Sequence, residues 1–244
     1  VGHEHHWSIW FGHQFVNGMN FWEEKAEVRH RLVHRRVRLY HDGMDFAGLV
    51  AEIDWEAAGA VVMKQALTLA LVPLDEKRFA LDLQSRFEAP GANPVELGKT
   101  NFGFLGVRVA KTMSERFGGG RLTNSEGATG EPELFGKIAR WVDYSGLTGP
   151  GTVEGIAYLD HPTNPRHPNA WHVRADGWMA CSPCLTEGYL IPPGHPLDLR
   201  YRLVAHDGPA EPAAIDHEWE RFAATKAYET TIDPATRLPG LSRL

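Results

Sequence analysis

Apolar and polar residues alternate with a period of two along most of this chain, the spacing of strands with unequally buried faces. Phe79, Leu81 and Leu83 alternate with Ala80, Asp82 and Gln84. Leu197, Leu199, Tyr201 and Leu203 alternate with Asp198, Arg200 and Arg202, and the turn pair Asp207-Gly208 ends the run. Phe102, Phe104, Val107 and Val109 read as a strand in which Gly103 and Gly106 mark a bulge or a close approach. Further strands are predicted at 8–12, 28–40, 45–54, 61–72, 153–159 and 171–180. Turn signals separate them at Asp42-Gly43, Pro90-Gly91, Gly118-Gly119-Gly120 and Pro192-Pro193-Gly194. One segment departs from the rule. Between Pro212 and Tyr228, the residues Ile215, Trp219, Phe222 and Ala223 fall at i, i+4, i+7 and i+8, an amphipathic helix. The polar tail after it, 229–244, is expected to lie along the surface. Many strands and one late helix predict an all-β, mainly antiparallel β-sandwich, a single domain over 1–244.

Composition narrows the function classes. The 25 basic and 31 acidic residues give a formal charge of -6, which argues against a nucleic-acid binder and against an anionic-membrane binder. No stretch approaches the roughly 18 apolar residues of a membrane span. Cys181 and Cys184 make no disulfide framework, and their CxxC spacing has no second pair for zinc and no thioredoxin-like surroundings. The chain begins at Val1, which reads as a trimmed or processed terminus; a soluble, cytoplasmic protein is the expectation. Histidine is unusually frequent: thirteen in all, six of them in the first 34 residues and three between 161 and 172.

Those clusters fall in the two segments richest in chemistry. The first is VGHEHHWSIWFGHQFVNGMNFW, from Val1 to Trp22. On an extended chain His3, His5 and His13 share one face and His6 takes the other. Such imidazoles can ligate a metal or act as acid and base; the blander reading is a polar strand of hydrogen-bonded histidines. The second is LDHPTNPRHPNAWHVR, from Leu159 to Arg174, a polar loop pinned by prolines and followed by a strand. It suits the rim of a pocket, and equally a loop that satisfies its own backbone. Between them lie GGGRLTNSEG and GKIARWVDYSG, where no phosphate-loop Lys-Ser/Thr pair follows the glycines, so a nucleotide site is rejected. Glu126 and Asp143 are the carboxylates expected near a pocket. The basic run from Arg29 to His41 reads as the solvated face of a strand.

Together these blocks resemble the PmoA-like family, in the same order from about residue 3 to about residue 208. The matched positions are His3, His5, His6, His13, Asn17, Gly18, Phe21 and Trp22, then Arg108, Asn124, Glu126, Trp141, Asp143 and Tyr144. The last block adds Asp160, His161, Asn164, Arg166, His167, Trp171 and His172. The resemblance implies a soluble β-rich fold akin to the galactose-mutarotase supersandwich, and an association with sugar chemistry. Gly2, Glu4, Trp7 and Gln14-Phe15 depart from the family pattern and imply a more apolar pocket. The resemblance also implies strands ahead of the first block that this chain lacks.

The expected function is an enzyme acting on a sugar or another polyhydroxylated or cyclic small molecule by histidine–carboxylate acid–base chemistry, as a lyase, epimerase or hydrolase. His5, His6, His13, Glu126, Asp143 and His172 are the catalytic candidates. Trp7, Asn17, Trp22, Arg108, Asn164, Arg166 and Trp171 are the substrate-binding candidates. A metal-dependent enzyme is the first alternative, with His3, His161 and His167 as ligands of a divalent transition metal; no motif demands any other cofactor. A non-catalytic carbohydrate-binding module is the second. The expected partner is a small carbohydrate-like substrate, with no nucleic acid and no membrane, and a homo-oligomer is left open.

Overall fold

The computed structural model describes residues 8–23, 30–76, 78–232 and 239–243. In chain order the first strands are β1 (Ile9–His13), β2 (His30–Asp42), β3 (Ala47–Ala57), β4 (Ala60–Pro73), β5 (Phe79–Glu88) and β6 (Val95–Leu97). They continue as β7 (Gly103–Arg108), β8 (Arg121–Asn124), β9 (Trp141–Gly149), β10 (Thr152–Asp160) and β11 (Trp171–Arg174). The last are β12 (Trp178–Cys181), β13 (Tyr189–Ile191), β14 (Leu197–Asp207), β15 (Tyr228–Ile232) and β16 (Pro239–Arg243). Two single-turn helices, α1 (Glu115–Gly118) and α2 (Glu131–Leu134), precede the longer α3 (Pro212–Ala223).

Every strand pairing is antiparallel. An eight-stranded sheet runs in the order β2-β3-β4-β5-β14-β10-β9-β8, and a four-stranded sheet runs β1-β7-β12-β11. β6 with β13 and β15 with β16 form two ribbons. The two main sheets meet face to face, so the expected all-β sandwich with one C-terminal helix is the observed architecture. Phe104 and Trp171 of the small sheet lie 5.1 Å from Phe87 and 4.8 Å from Tyr158 of the large one, ring to ring. Trp55, Leu105, Met179 and Tyr201 complete the same fully buried core. Each such side chain contributes about 1.5–3 kcal/mol by leaving water.

The other face of the large sheet is covered by α3 and the β15–β16 ribbon. Ile215 and Phe222 of the helix pack with Trp141, Ala157, Leu159 and Val204 of the sheet. Polar sheet residues on this face are paired rather than solvated. Arg202 holds Asp82 through two bonds of 2.6 and 2.9 Å, and Tyr228 donates its hydroxyl to the same carboxylate at 2.8 Å.

Local physics explains where the structure departs from the sequence reading. The segment 171–180 is a hairpin, because Gly177, at φ +110°, reverses the chain and sets Trp178 opposite Arg174. The helix stops at Ala223 rather than Tyr228, because Arg200 of β14 takes the carbonyls of Thr225 (3.0 Å) and Lys226 (2.8 Å) out of helical reach. The tail beyond it is a ribbon; the Gln84 amide bonds both the carbonyl and the N–H of Tyr228 at 2.8 Å, like a neighbouring strand. β9 went unseen because Trp141 to Gly146 are buried on both faces and show no alternation. The basic run on β2 is solvated as expected: Arg36 pairs with Glu52 and Arg35 with Asp54, each at 2.7 Å across the β2–β3 ladder. Cys181 and Cys184 are free and buried. Among the described residues no helix is long and apolar enough to cross a membrane.

Candidate functional site

The outer face of the small sheet is built by alternation. Leu105, Val107, Met179, Trp171 and Val173 point into the sandwich core. Their neighbours point out, and the register aligns them: Trp10 lies opposite Gly106, Gly106 opposite Ala180, and Ala180 opposite His172. One row across four strands is therefore small in its middle and aromatic at its ends. The next row sets Arg108 opposite Trp178 and Trp178 opposite Arg174. Gly106 has to be glycine, since a Cβ there would come within 2.4 Å of the Trp10 indole. Trp22 arrives from the loop after β1 and completes a group of indoles, 5.6 Å from Trp10 and 5.4 Å from Trp178. Phe102 flanks it at 5.6 Å from Trp22.

His172 sits at the edge of this group, 4.3 Å from Trp178 and edge-on to Phe102 and Phe135. Its Nδ1 lies 2.7 Å from the carbonyl of Asn101. A carbonyl only accepts, so Nδ1 carries the proton and Nε2 presents its lone pair. That Nε2 is buried and has no hydrogen-bond partner among the described residues. Burial pushes the imidazole down to about 4, with the Asn101 bond opposing, so at neutral pH the ring is uncharged. A buried acceptor left unpaired costs about 1–3 kcal/mol, and its usual explanation is a missing partner. Arg108 supplies the cation of the face: one Nη donates to the Asp176 carbonyl at 2.9 Å and the other lies 3.7 Å from the Asp176 carboxylate. Asp176 and Arg174 are also the charges that act on His172.

Of the residues singled out from sequence, the structure brings Trp22, Arg108 and His172 to this face. Others lie elsewhere. His13 is fully buried, stacked on Phe104 at 4.6 Å, with Nε2 bonded to the Gly98 carbonyl at 3.1 Å; burial lowers its pKa to about 4. Asn17 is an exposed turn residue whose Oδ1 accepts the Glu96 N–H at 2.8 Å. Glu126 is exposed beside Ser125 in the turn after β8. Trp171 is core, its indole N–H donated to the Ala139 carbonyl at 2.9 Å. His3, His5, His6 and Trp7 lie outside the described residues.

The 160–169 loop is organised around its own carboxylate. Asp160 is fully buried and accepts from Asn164 (2.7 Å), from the Asn169 backbone (3.1 Å) and amide (3.0 Å), and from His167 Nδ1 (2.9 Å). His167 in turn stacks on Trp219 of α3. His161 Nδ1 accepts the Thr163 N–H at 3.1 Å and its Nε2 faces Arg200 at 2.9 Å; burial and then Arg200 lower it to about 4. Arg166 donates to the carbonyls of Pro183, Glu187 and Gly188, tying down the next loop. As metal ligands, His161 and His167 are thus held apart by separate partners. No group of three or more His, Cys, Asp or Glu among the described residues could hold a metal ion.

Asp143 is buried on β9 and is joined by a residue that the sequence reading passed over. His206 Nε2 lies 2.7 Å from one Asp143 oxygen, and Ser145 donates its hydroxyl to the other. The pair reaches across β10 above Gly155, where a Cβ would come within 2.4 Å of the imidazole. Trp10, Trp178 and Asp176 were also missed on the outer face of the small sheet. Reading Gly177 as a turn would have placed Trp178 back over Arg108.

Fold and site together define an all-β sandwich whose smaller sheet carries, on the face away from the core, an aromatic group with the neutral His172 and, in one row about Trp178, Arg108 and Arg174. The chain belongs to a family of unknown function, DUF6807, whose family model matches residues 1–220. This corrects the resemblance read from the motifs: the match is to DUF6807, and nothing indicates a PmoA-like family. No curated protein matches the chain, and no solved structure does.

Proposed function

We propose that the outer face of the small sheet is the substrate site of an enzyme acting on a sugar or another polyhydroxylated or cyclic small molecule. The observation that carries this reading is the unpaired, lone-pair-bearing Nε2 of His172 beside Trp178. A substrate hydroxyl gives that nitrogen the donor it lacks, and half-buried Trp10, backed by the buried Trp22 and Trp178, offers apolar surface to a cyclic body. Phe135, which is 39% exposed, lies edge-on to His172, so this reading requires its ring to turn aside for a substrate. Arg108, held by Asp176, binds a substrate oxygen, and Asp176 is the carboxylate nearest in kind to the expected acid–base partner. A lyase, an epimerase and a hydrolase all require proton transfer of the sort such a pair supports.

The proton affinity of His172 favours a second reading, a carbohydrate-binding module. An imidazole near 4 is a good hydrogen-bond acceptor and a weak base at neutral pH. One experiment separates these. The wild-type chain and His172→Phe, which keeps the ring and removes the acceptor, are screened against monosaccharides, oligosaccharides and cyclic polyols, with binding and products followed by NMR. Turnover that falls at least about 100-fold in the variant supports the enzyme. Binding without product supports the module. Turnover untouched by the substitution overturns the placing of the site on this face.

A further inference from the structure

The cleft between the end of β14 and the start of α3 lies on the other side of the large sheet from the small sheet, and its chemistry is different. We propose that it binds a small organic ammonium ion, with the charge at Glu218, Glu211 and Asp207 and the apolar body against Val204 and Ile215. The cleft has a volume of about 180 Å³, which limits the ligand to a compact one. Its walls combine Ala157, Val204, Ala214 and Ile215 with those acidic groups.

Charge pairing leaves the cleft acidic. Arg78 is engaged by Asp75 at 2.6 Å, Arg221 by Glu218 Oε1 at 3.0 Å, and His206 by Asp143 at 2.7 Å. Asp207 and Glu211 have no cationic partner among the described residues. Glu218 is the independent sign of a ligand. It lines the cleft and is only 5% exposed, and its Oε2 has no hydrogen-bond partner among the described residues. Arg221 meets only Oε1, so the buried Oε2 still lacks a donor, which an ammonium N–H supplies while Asp207 and Glu211 balance its charge.

His206 makes the site sensitive to pH. Burial works against its imidazolium, and the bond and charge of Asp143 outweigh that effect, so the proton is held above the ordinary histidine range. The groups facing it are Asp143 from β9, Glu154 from β10, Arg78 ahead of β5, Asp207 at the end of β14, and Glu211 and Glu218 of the α3 segment. Below its pKa His206 is a cation and repels a second one. Above it, the neutral ring leaves the carboxylates in charge of the cleft, so ammonium binding tightens as pH rises.

The test is calorimetric titration of the full chain with n-butylammonium chloride and, as the neutral isostere, n-butanol, at about pH 6 and about pH 9. The expected result is ammonium binding that strengthens at the higher pH, with n-butanol binding at least about tenfold more weakly. Glu218→Gln weakens the ammonium by at least about tenfold, the exposed Glu211→Gln weakens it by less, and His206→Gln flattens the pH dependence. Circular dichroism confirms that each variant is folded, and Glu211→Gln carries the test if Glu218→Gln is not. Equal binding of the two probes by the wild-type chain overturns the proposal. So does ammonium affinity unchanged in both glutamate variants.

Discussion

Buried ionisable residues decide how this protein responds to substitution and to acid. Asp82 and Arg202 are only 2% exposed and share two hydrogen bonds, with Tyr228 as a third partner. Asp82→Ala strands the Arg202 charge in the interior, so urea denaturation should show a loss of about 3–5 kcal/mol. His13, His161 and His172 are depressed by burial to about 4, against 6.5 when unfolded. Their folded forms bind protons later than the unfolded chain does. Their contribution to stability is therefore full above about 6.5 and is lost as pH falls towards about 4, each tenfold difference in proton affinity being worth about 1.4 kcal/mol. Urea midpoints should fall across that window, and above about 6.5 they should decline again as His206, raised by Asp143, loses its proton. Ligand binding that uses the His172 lone pair should survive down to about pH 5 and disappear near 4, rather than near 6.5. Residue identities alone could not reveal any of this, because a histidine's proton affinity depends on what encloses it. His172 and His206 look alike in sequence, yet burial governs the first and a buried carboxylate the second.

Strands with one apolar stripe were legible, and those buried on both faces were not. β5 and β14 alternate because one face meets the small sheet and the other meets polar pairs. β9 carries Trp141, Val142, Asp143, Tyr144 and Ser145, all buried, and so gives no period. The four-residue hairpin strands β11 and β12 are too short for periodicity to separate, and only Gly177 marks the turn between them. α3 was legible from its stripe, and its end was not, since Arg200 on a distant strand sets it. The docking of α3 rests on Phe222, which is 1% exposed and lies beneath the Arg202 guanidinium at 4.8 Å. Phe222→Ala should cost about 3–5 kcal/mol of stability, measured by denaturation, while leaving any ligand binding at the small sheet unchanged. Gly155→Ala should separate His206 from Asp143 and cost about 1–3 kcal/mol, because its methyl has imidazole on one side and the Ser145 hydroxyl on the other.

The whole molecule uses its two sheets for different ends. The middle of the eight-stranded sheet is covered by the small sheet on one side and by α3 and the C-terminal ribbon on the other, while β2 at its edge stays solvated. The four-stranded sheet packs on the large sheet with one face, and on its other face Trp22, Trp178 and His172 are buried beside the Arg108–Asp176 pair. The sequence clusters of histidine pointed towards a shared pocket, and the described residues divide them. His172 reaches the outer face, while His161 and His167 serve the loop under α3. These neighbours in sequence part because His161 and His167 lie in the 160–169 loop and His172 on β11. The central claim is that His172 offers a neutral, unpaired Nε2 to a ligand. It is tested most directly by long-range 15N–1H correlation spectra of the histidine rings, recorded through an acid titration and again during titration with cyclic polyols and sugars. The account predicts an Nδ1–H tautomer for His172, protonation near 4, and an Nε2 shift that moves when a ligand is bound. A proton on Nε2 at neutral pH, or bound ligand that leaves that nitrogen unmoved, would contradict it.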